Sequence, residues 1–504
     1  MIQLLSILLQ PSFLVLVVTA FCVWYYLKHR NLPPGPRGLP LLGYGPYLGP
    51  SPQDALYDLR KQYGNIFSMY LGPNLTIVLN DYKAIKAAYI DQADIFSGRA
   101  DGFIRTHASA GSDGEIHGIA TLEGELWKIS RRFMLQTFRN LGMGKNRIQE
   151  QILEEADYMR DLFAKSTGTP FYPRPIISAI VANVICVLCY GRRFDHNDPI
   201  FREIINDNVT IADTFAQAGP MQSYPILRFL PGKFLTTWRK YKVAWNRTIG
   251  FCGKEIETHK KNLQQNEEDA DYIDAFLNQQ KKVSASGSEI EQKAFQHEDL
   301  LFNVRALFGA GTETTTASMS WAFLYMMHYP DVQKKIHAEM DENVGRDRLI
   351  TVDDRVKLPY TEAVVREIQR LGNVAPFGVL RCNLEETTLL GYRIPKRSFI
   401  LPNFLAVNMD PKLWDNPESF QPERFLDKHG KVTEPPYFMP FSIGKRACVG
   451  EALARMEIFL FFANILQKFR LEAPKDYKLP GINQKIVRIS SEPVPFKIQV
   501  CVRD

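Results

Sequence analysis

The hydrophobic pattern begins with an apolar run from Leu4 to Leu27. Only five residues interrupt it, namely Ser6, Gln10, Pro11, Ser12 and Thr19. About 20 apolar residues are enough to cross a bilayer, so the run predicts a transmembrane helix. Lys28, His29 and Arg30 follow it, and this placement of positive charge predicts that the rest of the chain faces the cytosol. A cleaved signal peptide is the alternative, but the run is long and no small-residue cleavage site follows it.

The body of the chain has mainly helical periodicity, with a few short strand patterns. Ile66–Leu71 and Leu75–Leu79 flank Gly72-Pro73-Asn74 and predict a β-hairpin. Three apolar patterns predict helices that carry chemical motifs, over Glu298–Tyr329, Tyr360–Leu371 and Ala452–Phe469. Polar stretches over Gln264–Asp271 and Val283–Gln296 predict surface loops. The pattern therefore predicts a mostly α protein with minor β sheets.

Residues 31–43, which follow the apolar run, are rich in proline and glycine. Leu32 to Pro40 reads Leu-Pro-Pro-Gly-Pro-Arg-Gly-Leu-Pro. Each proline fixes its own φ angle and lacks a backbone N–H, so this segment cannot be helical. It predicts a stiff, extended segment between the apolar run and the body.

Composition narrows the class of protein only slightly. The chain has 504 residues, of which 45% are hydrophobic, and a net charge of +6. Without a basic low-complexity tract or a nucleic-acid motif, this mild charge argues against nucleic-acid binding. Seven scattered cysteines in a body that faces a reducing cytosol predict no disulfides. Cys186 and Cys189 have redox or metal spacing, but their apolar surroundings favour core packing.

Cys448 lies in the segment Phe441-Ser-Ile-Gly-Lys-Arg-Ala-Cys-Val-Gly450, just before the last predicted helix. A helix N-terminus favours a sulfur anion, so this cysteine is a candidate iron ligand. Gly444 permits a tight loop, and Gly450 lets the backbone approach a flat ligand. Arg446 offers a cation to an acid on that ligand, and a haem has both the flat face and the acids. A buried structural cysteine is the alternative.

The long predicted helix carries a second motif, Ala310-Gly-Thr-Glu-Thr-Thr315. Gly309 and Gly311 weaken the helix in its middle. The Thr314 hydroxyl can bond to a carbonyl one turn earlier, so the helix is predicted to open locally there. A threonine-rich turn packed on a neighbouring helix is the alternative.

The pattern Phe-x-x-Gly-x-Arg-x-Cys-x-Gly resembles the proximal loop of the cytochrome P450 family, the haem-thiolate monooxygenases. Together with Pro359 to Val364, it is most similar to the microsomal animal group that hydroxylates drugs and steroids. The resemblance implies the cytochrome P450 fold, with one catalytic domain over residues 44–504, behind a membrane anchor at 1–30 and the hinge at 31–43. It also implies a haem b whose iron takes its axial thiolate from Cys448, held by a loop that includes Phe441, Gly444 and Gly450.

The resemblance also implies roles for residues of the other motifs. Thr314 and Glu313 would manage protons at the oxygen-activation site. Glu367 and Arg370 share a helix face, and with Arg424 they would form the charge triad that locks the region under the haem. Five residues would hold the haem carboxylates: Trp127, Arg131, Arg99, Arg381 and Arg446. Where the family usually has Lys-Gly, this chain has Lys396-Arg397, so a different turn geometry is expected there.

The function implied by the resemblance is insertion of one oxygen atom of O2 into a lipophilic small molecule. Electrons would come from NADPH through NADPH–cytochrome P450 reductase, with cytochrome b5 as a further candidate partner. The expected location is the endoplasmic reticulum membrane, with a single span and a cytosolic catalytic domain. Two alternatives stay open, a haem-thiolate isomerase or dehydratase, and a non-enzymatic haem-binding sensor. The sequence does not distinguish a steroid, a fatty acid and a xenobiotic as the substrate.

Two surface segments add expectations about the surroundings of the protein. Apolar residues around Pro231-Gly232, including Ile226, Leu227 and Phe229, would touch the membrane a second time. A basic face on and after the helix of Trp127, extended by Lys445, would dock the reductase. Its other members are Lys128, Arg132, Arg139, Lys145 and Arg147.

Overall fold

The computed structural model describes residue 19 and residues 29–142, 146–217, 219–262 and 270–503. The predicted anchor, residues 1–30, lies almost wholly outside this part of the chain. Within it, no helix combines the length and the apolar character that a membrane crossing requires. Residues 32–38 of the hinge form neither helix nor strand, as their prolines predict.

Helices dominate the described residues, and they are numbered here in chain order. They are α1 (Pro52–Tyr63), α2 (Tyr82–Lys86), α3 (Phe103–His107), α4 (Gly124–Asn140), α5 (Asn146–Lys165), α6 (Arg174–Tyr190), α7 (Pro199–Gln217), α8 (Gly219–Ser223), α9 (Lys233–Asn262), α10 (Tyr272–Ser286), α11 (Glu289–Ala294), α12 (His297–His328), α13 (Pro330–Asn343), α14 (Pro359–Gly372), α15 (Phe404–Asn408) and α16 (Glu451–Lys468). The three predicted motif helices correspond to α12, α14 and α16, and each prediction is confirmed within one residue or so at either end.

The strands are short and form small sheets, so the predicted mostly α class with minor β is confirmed. They are β1 (Ile66–Leu71), β2 (Asn74–Leu79), β3 (Gly98–Arg99), β4 (Arg381–Cys382), β5 (Thr387–Leu389), β6 (Tyr392–Ile394), β7 (Phe399–Pro402), β8 (Phe469–Glu472), β9 (Lys485–Val487), β10 (Ser491–Pro493) and β11 (Gln499–Val502). One five-stranded sheet has the order β1-β2-β7-β4-β3. The predicted hairpin is its β1–β2 pair, while β2 and β7 run parallel.

The core is built around α12, which packs against α6, α9 and α16. Helix α6 is buried on nearly all sides, because its residues are almost all apolar. Cys186 and Cys189 are fully buried in it, and burial raises the pKa of both thiols. Core packing of these two cysteines is therefore confirmed.

Two local predictions are wrong. Residues 283–296 are not one loop, because α10 continues to Ser286 and α11 follows; Ser288 and Glu291 form a capping box at the start of α11. The turn at Arg397 does not change its geometry for lack of glycine. Arg397 takes the left-handed conformation itself, with a φ of 63°, while its guanidinium binds Glu123 and Asp101.

Candidate functional site

The cysteine loop is held by close backbone contacts just before α16. The Cys448 N–H donates to the Phe441 carbonyl at 3.0 Å. Gly444 has a φ of 79°, and a Cβ there would lie 1.9 Å from the Tyr89 carbonyl oxygen, so only glycine fits this position. Gly450 is the N-cap of α16. The predicted setting of Cys448 at a helix N-terminus is thus confirmed.

The Cys448 side chain is accessible to solvent, yet the surrounding protein is dense enough that burial raises the pKa of its thiol. A hydrogen bond from Gly450 N–H and the charge of Arg131 oppose this rise without cancelling it. The helix terminus thus favours the anion, as expected, but burial is the larger effect. A bound metal ion is what would stabilise a thiolate here.

Two cations flank this loop on the side of α4. Arg446 is buried, and its guanidinium lies 3.8 Å from the centre of the Trp127 ring. Burial, reinforced by Arg99 and Arg381, lowers the pKa of Arg446 to about 8. Arg131 donates to the Ala447 carbonyl at 2.7 Å, so α4 is tied directly to the cysteine loop.

Arg99 and Arg381 complete the group of cations. Both are buried in the five-stranded sheet, where burial and the nearby Arg381 lower the pKa of Arg99 to about 9. The Arg381 guanidinium lies 3.5 Å from the centre of the Tyr89 ring, whose buried hydroxyl has no hydrogen-bond partner among the described residues. The structure thus brings together all five residues predicted to hold the haem carboxylates.

The chemistry of this group fits a ligand with two acids. None of Arg99, Arg131, Arg381 and Arg446 forms an ion pair with a carboxylate of the described chain. Arg131 is half-buried and the other three are buried. Cations in such positions without a counter-charge are costly, so the four beside Cys448 indicate an anionic ligand. The space next to Gly450 is also open. Among the described residues other than its chain neighbours, only the Cys448 sulfur lies within 4 Å of the position that a Cβ on Gly450 would take. A flat group can therefore approach the backbone there, and the residues present fit a haem.

Helix α12 presents an accessible stripe in an otherwise buried stretch. Ala310 is exposed, while Gly311 and Thr314 are half-buried. The Thr314 hydroxyl donates to the Ala310 carbonyl at 2.8 Å, as predicted. The predicted opening of the helix is wrong, because α12 is continuous from His297 to His328.

The two glycines of this stretch have packing reasons instead. A Cβ on Gly311 would lie 2.5 Å from the Ile185 side chain of α6. A Cβ on Gly309 would lie 2.4 Å from a guanidinium nitrogen of Arg305. Both glycines therefore let a neighbouring side chain approach the helix backbone. This explains why glycine occurs at these two positions although it weakens the helix.

Glu313 lies in an ion pair that the sequence did not predict. Its Oε1 accepts from Arg174 of α6 at 2.8 Å, and Arg174 also binds Glu492 of β10 at 2.7 Å. Arg488 continues the chain of charges to Asp213 of α7. Glu313 and Thr314 therefore make separate contacts, one with a cation and one with a helix carbonyl. No motif marks Arg174, since its partners are distant in sequence.

A second carboxyl near this stripe was missed. Glu457 of α16 is buried, and burial raises its pKa to about 8. The Thr315 hydroxyl donates to it at 3.2 Å, and its other oxygen has no partner among the described residues. Its only signal in the sequence is an acid inside the apolar stretch of α16, about one turn and a half after the first residue, Glu451.

The predicted charge triad is present. Arg370 and Glu367 are fully buried and form two hydrogen bonds of 2.8 and 2.7 Å. Arg424 donates to the same carboxylate at 3.1 Å. Arg370 also donates to the carbonyls of Asn408 and Pro417, so the triad ties α14 to the segment that precedes the cysteine loop.

Comparison with known proteins was made on the whole chain. The family described as Cytochrome P450 matches residues 33–500. Rat Cytochrome P450 2C23 is 37% identical over 507 residues, which cover 97% of this chain and 99% of the relative. Rat Cytochrome P450 2B15 is 35% identical with the same two coverages. Human Cytochrome P450 2J2 is 36% identical over 93% of this chain and 92% of the relative.

Proposed function

The chain belongs to the cytochrome P450 family and is a haem-thiolate monooxygenase that acts on lipophilic substrates, and we propose that Cys448 supplies the thiolate. The observation that carries this assignment is the accessible Cys448 sulfur beside four unpaired guanidinium groups. Arg99, Arg131, Arg381 and Arg446 would bind the two haem carboxylates, with Trp127 packed under Arg446.

The haem, when bound, supplies the activation of dioxygen, and thiolate ligation favours cleavage of the O–O bond. The chain would hold it through the cysteine loop on one face and the accessible stripe of α12 on the other. Phe441, Gly444 and Gly450 would shape the loop so that the Cys448 sulfur points at the metal.

We propose that Thr314 and Glu313 handle protons. The Thr314 hydroxyl donates to the Ala310 carbonyl, so its oxygen is oriented to accept a hydrogen bond from a water. Glu313 would exchange protons with solvent, while its ion pair with Arg174 holds the carboxylate in place. Glu367, Arg370 and Arg424 would act structurally, by fixing the region that carries the cysteine loop.

We also propose a single-span protein of the endoplasmic reticulum membrane, with an anchor at residues 1–30, a hinge at 31–43 and a cytosolic catalytic domain at 44–504. An apolar surface beside the hinge supports a second membrane contact. Leu41, Ile226 and Phe229 are 80%, 66% and 60% exposed. Tyr224 donates to the Leu41 carbonyl, which joins the hinge to the apolar tip. Leu227 is instead half-buried and packs inward.

A monooxygenase of this kind takes its electrons from a reductase, and we propose NADPH–cytochrome P450 reductase, with cytochrome b5 as a second partner. Lys128, Arg132 and Arg139 are exposed on α4, which touches the cysteine loop through Arg131. Lys445 is exposed as well but forms an ion pair with Asp94. Lys145 lies outside the described residues. Complementary charge on this face would orient an acidic donor.

The experiment that tests this function is reconstitution of the full chain with the reductase, NADPH and lipophilic substrates. A monooxygenase consumes NADPH and forms an oxygenated product. An isomerase or dehydratase would convert substrate without NADPH, and a sensor would convert none. In parallel, Cys448→Ala should remove the thiolate signature of the ferrous carbon monoxide spectrum, while the matched Cys186→Ala retains it. Retention of that signature in Cys448→Ala would exclude Cys448 as the ligand.

A further inference from the structure

A second group of unpaired polar atoms lies between α7, α9 and α12. Arg305 of α12 is only 7% exposed. Its Nε donates to the Thr248 hydroxyl at 3.2 Å, and its guanidinium lies 4.9 Å from the centre of the Trp245 ring. It forms no ion pair within the described chain, so this buried cation lacks a counter-charge.

Two neighbours of Arg305 also lack partners. Asn208 of α7 is 4% exposed, and neither its amide nitrogen nor its amide oxygen has a hydrogen bond in the described chain. Tyr241 of α9 is fully buried, and its hydroxyl has no partner there either. Native proteins leave few such groups unsatisfied, and here they occur beside a buried charge.

Gly309 is what brings these groups together. An Arg305 guanidinium nitrogen and the Asn208 amide oxygen lie 2.4 and 3.4 Å from the position that a Cβ on Gly309 would take. A side chain there would displace the Arg305 guanidinium from this position. The group therefore depends on one glycine in the middle of α12, and its hydrogen-bonding atoms are mainly donors. A positive charge with surplus donors suits an anion that offers at least two acceptor oxygens.

The nearest acid on α7 does not serve as that anion. Asp207 accepts two hydrogen bonds from Arg247, at 2.8 and 2.7 Å. Its charge is therefore already matched by a cation on α9. Arg305 keeps its donors for a group from outside the chain.

Aromatic rings lie next to these atoms. The Tyr241 ring stacks on Trp238 at 5.3 Å and on Trp245 at 5.8 Å, and Phe215 meets it edge-on at 6.5 Å. Such a wall suits an apolar body. Thr314 follows Arg305 by nine residues, or two and a half turns, so the two positions lie on opposite faces of α12. The Arg305 guanidinium folds back along the helix to Gly309, next to the exposed Ala310 of the accessible stripe. A ligand whose acid lies at this guanidinium would reach the stripe from there.

We propose that Arg305, Asn208 and Tyr241 form a carboxylate-binding subsite for lipophilic carboxylic acids. The two carboxylate oxygens take the donors of the three side chains, and the apolar body lies against the aromatic wall. This inference rests on the proposed function, because it names the class of substrate that the monooxygenase holds.

The test is equilibrium binding to the purified full chain with its haem, measured by calorimetry below the micelle concentration of each probe. The probes are dodecanoic acid and biphenyl-4-acetic acid, each compared with its methyl ester. Charged hydrogen bonds lead us to expect that an acid binds about 10- to 100-fold more tightly than its ester. If dodecanoic acid binds more tightly than its ester, the subsite takes fatty acids. If biphenyl-4-acetic acid binds more tightly than its ester, the subsite takes aromatic acids. Either result supports the subsite.

Variants assign the preference to these residues. Arg305→Met should abolish it while changing ester affinity by less than about threefold, and Arg305→Lys should restore part of it. Asn208→Leu and Tyr241→Phe should each reduce it severalfold. The matched control is Arg239→Met, which removes an exposed cation of α9, the helix of Tyr241. It should leave the affinities for acid and ester unchanged. Arg305→Met should also raise the melting temperature of the ligand-free protein, because it removes an unpaired buried charge.

Three outcomes would overturn the subsite: equal affinity of acids and esters, loss of both affinities together in Arg305→Met, or no binding of either probe. An unchanged carbon monoxide spectrum in each variant shows that the fold and haem site are intact. Binding requires no reductase, so an acid preference without NADPH-driven turnover would retain the subsite and refute the monooxygenase.

Discussion

Arg174 and Glu313 form an ion pair with 2.8 Å between Nη2 and Oε1, so the carboxylate next to Thr314 is bound to a cation of another helix. Arg174 is the only cation that Glu313 contacts within the described residues. Because Glu313 is buried, loss of that contact would leave a buried carboxylate without a counter-charge. The position of the Glu313 carboxylate thus depends on α6, through a residue that lies 139 positions away.

Replacement of Arg174 should reduce the coupling of NADPH use to product formation. In Arg174→Met the buried Glu313 carboxylate loses the cation that holds it next to Thr314, so protons should be delivered less efficiently. We expect a severalfold lower ratio of product formed to NADPH consumed, with an unchanged haem spectrum. Arg174→Lys should retain most of the wild-type ratio.

A second variant tests whether Arg174 acts through Glu313. Glu313→Gln in the Arg174→Met background should lower the ratio of product to NADPH no further than Glu313→Gln alone does. If wild type and Arg174→Met give equal ratios, the ion pair has no part in proton handling.

Thr314 should control how efficiently electrons reach product. Thr314→Ala loses the hydroxyl that now donates to Ala310, so a water there loses a partner and protons arrive in an uncontrolled way. We expect about 10-fold or more loss of coupling, with hydrogen peroxide as the alternative product, and unchanged binding of haem and substrate. Coupling is the product formed per NADPH consumed.

Two control variants test whether the loss of coupling is specific to the Thr314 hydroxyl. Thr314→Ser keeps the hydroxyl and should keep most of the coupling. Thr316→Ala changes a fully buried threonine of the same helix and should leave coupling near the wild-type value. Equal coupling in Thr314→Ala and wild type would remove Thr314 from the mechanism.

These residues also show what the sequence could and could not predict. Local signals were enough for α12, for Cys448 before α16 and for Glu367 with Arg370, because each depends on near neighbours in the chain. Arg174 and Arg305 were missed, since their significance comes from partners on other helices. The sequence indicated that the helix terminus favours a Cys448 thiolate, but not that burial in the surrounding fold opposes the thiolate more strongly.

Glu367 should be needed for stability and haem retention. Glu367→Gln leaves Arg370 and Arg424 without a counter-charge, and loss of one partner of a buried pair costs about 3–5 kcal/mol. We expect a lower free energy of unfolding by about that amount and faster loss of haem. Denaturant titration measures the free energy of unfolding, and the absorbance of the bound haem over time measures the rate of haem loss.

A surface pair gives the comparison for this variant. Glu423 binds Lys335 at 2.8 Å, but both side chains are more than half exposed. Glu423→Gln should therefore cost about 0–1 kcal/mol. Equal effects of the two substitutions would mean that the triad is not a buried network in solution.

The last prediction concerns His259, whose imidazole donates to the Glu255 carbonyl at 2.8 Å and to Asp271 at 2.9 Å. Burial lowers its pKa, but the hydrogen bond and charge of Asp271 outweigh burial and raise the pKa to about 9. The unfolded value is about 6.5. Because the folded pKa is the higher one, the contribution is complete below pH 6.5 and disappears as pH rises through 9. His259→Gln should therefore cost up to about 3 kcal/mol at pH 6 and little at pH 10.

His337, whose pKa burial lowers to about 4, is neutral throughout this window. His337→Gln should then cost the same at both values of pH, and a parallel result for His259→Gln would show that its imidazole is not charged in the folded protein.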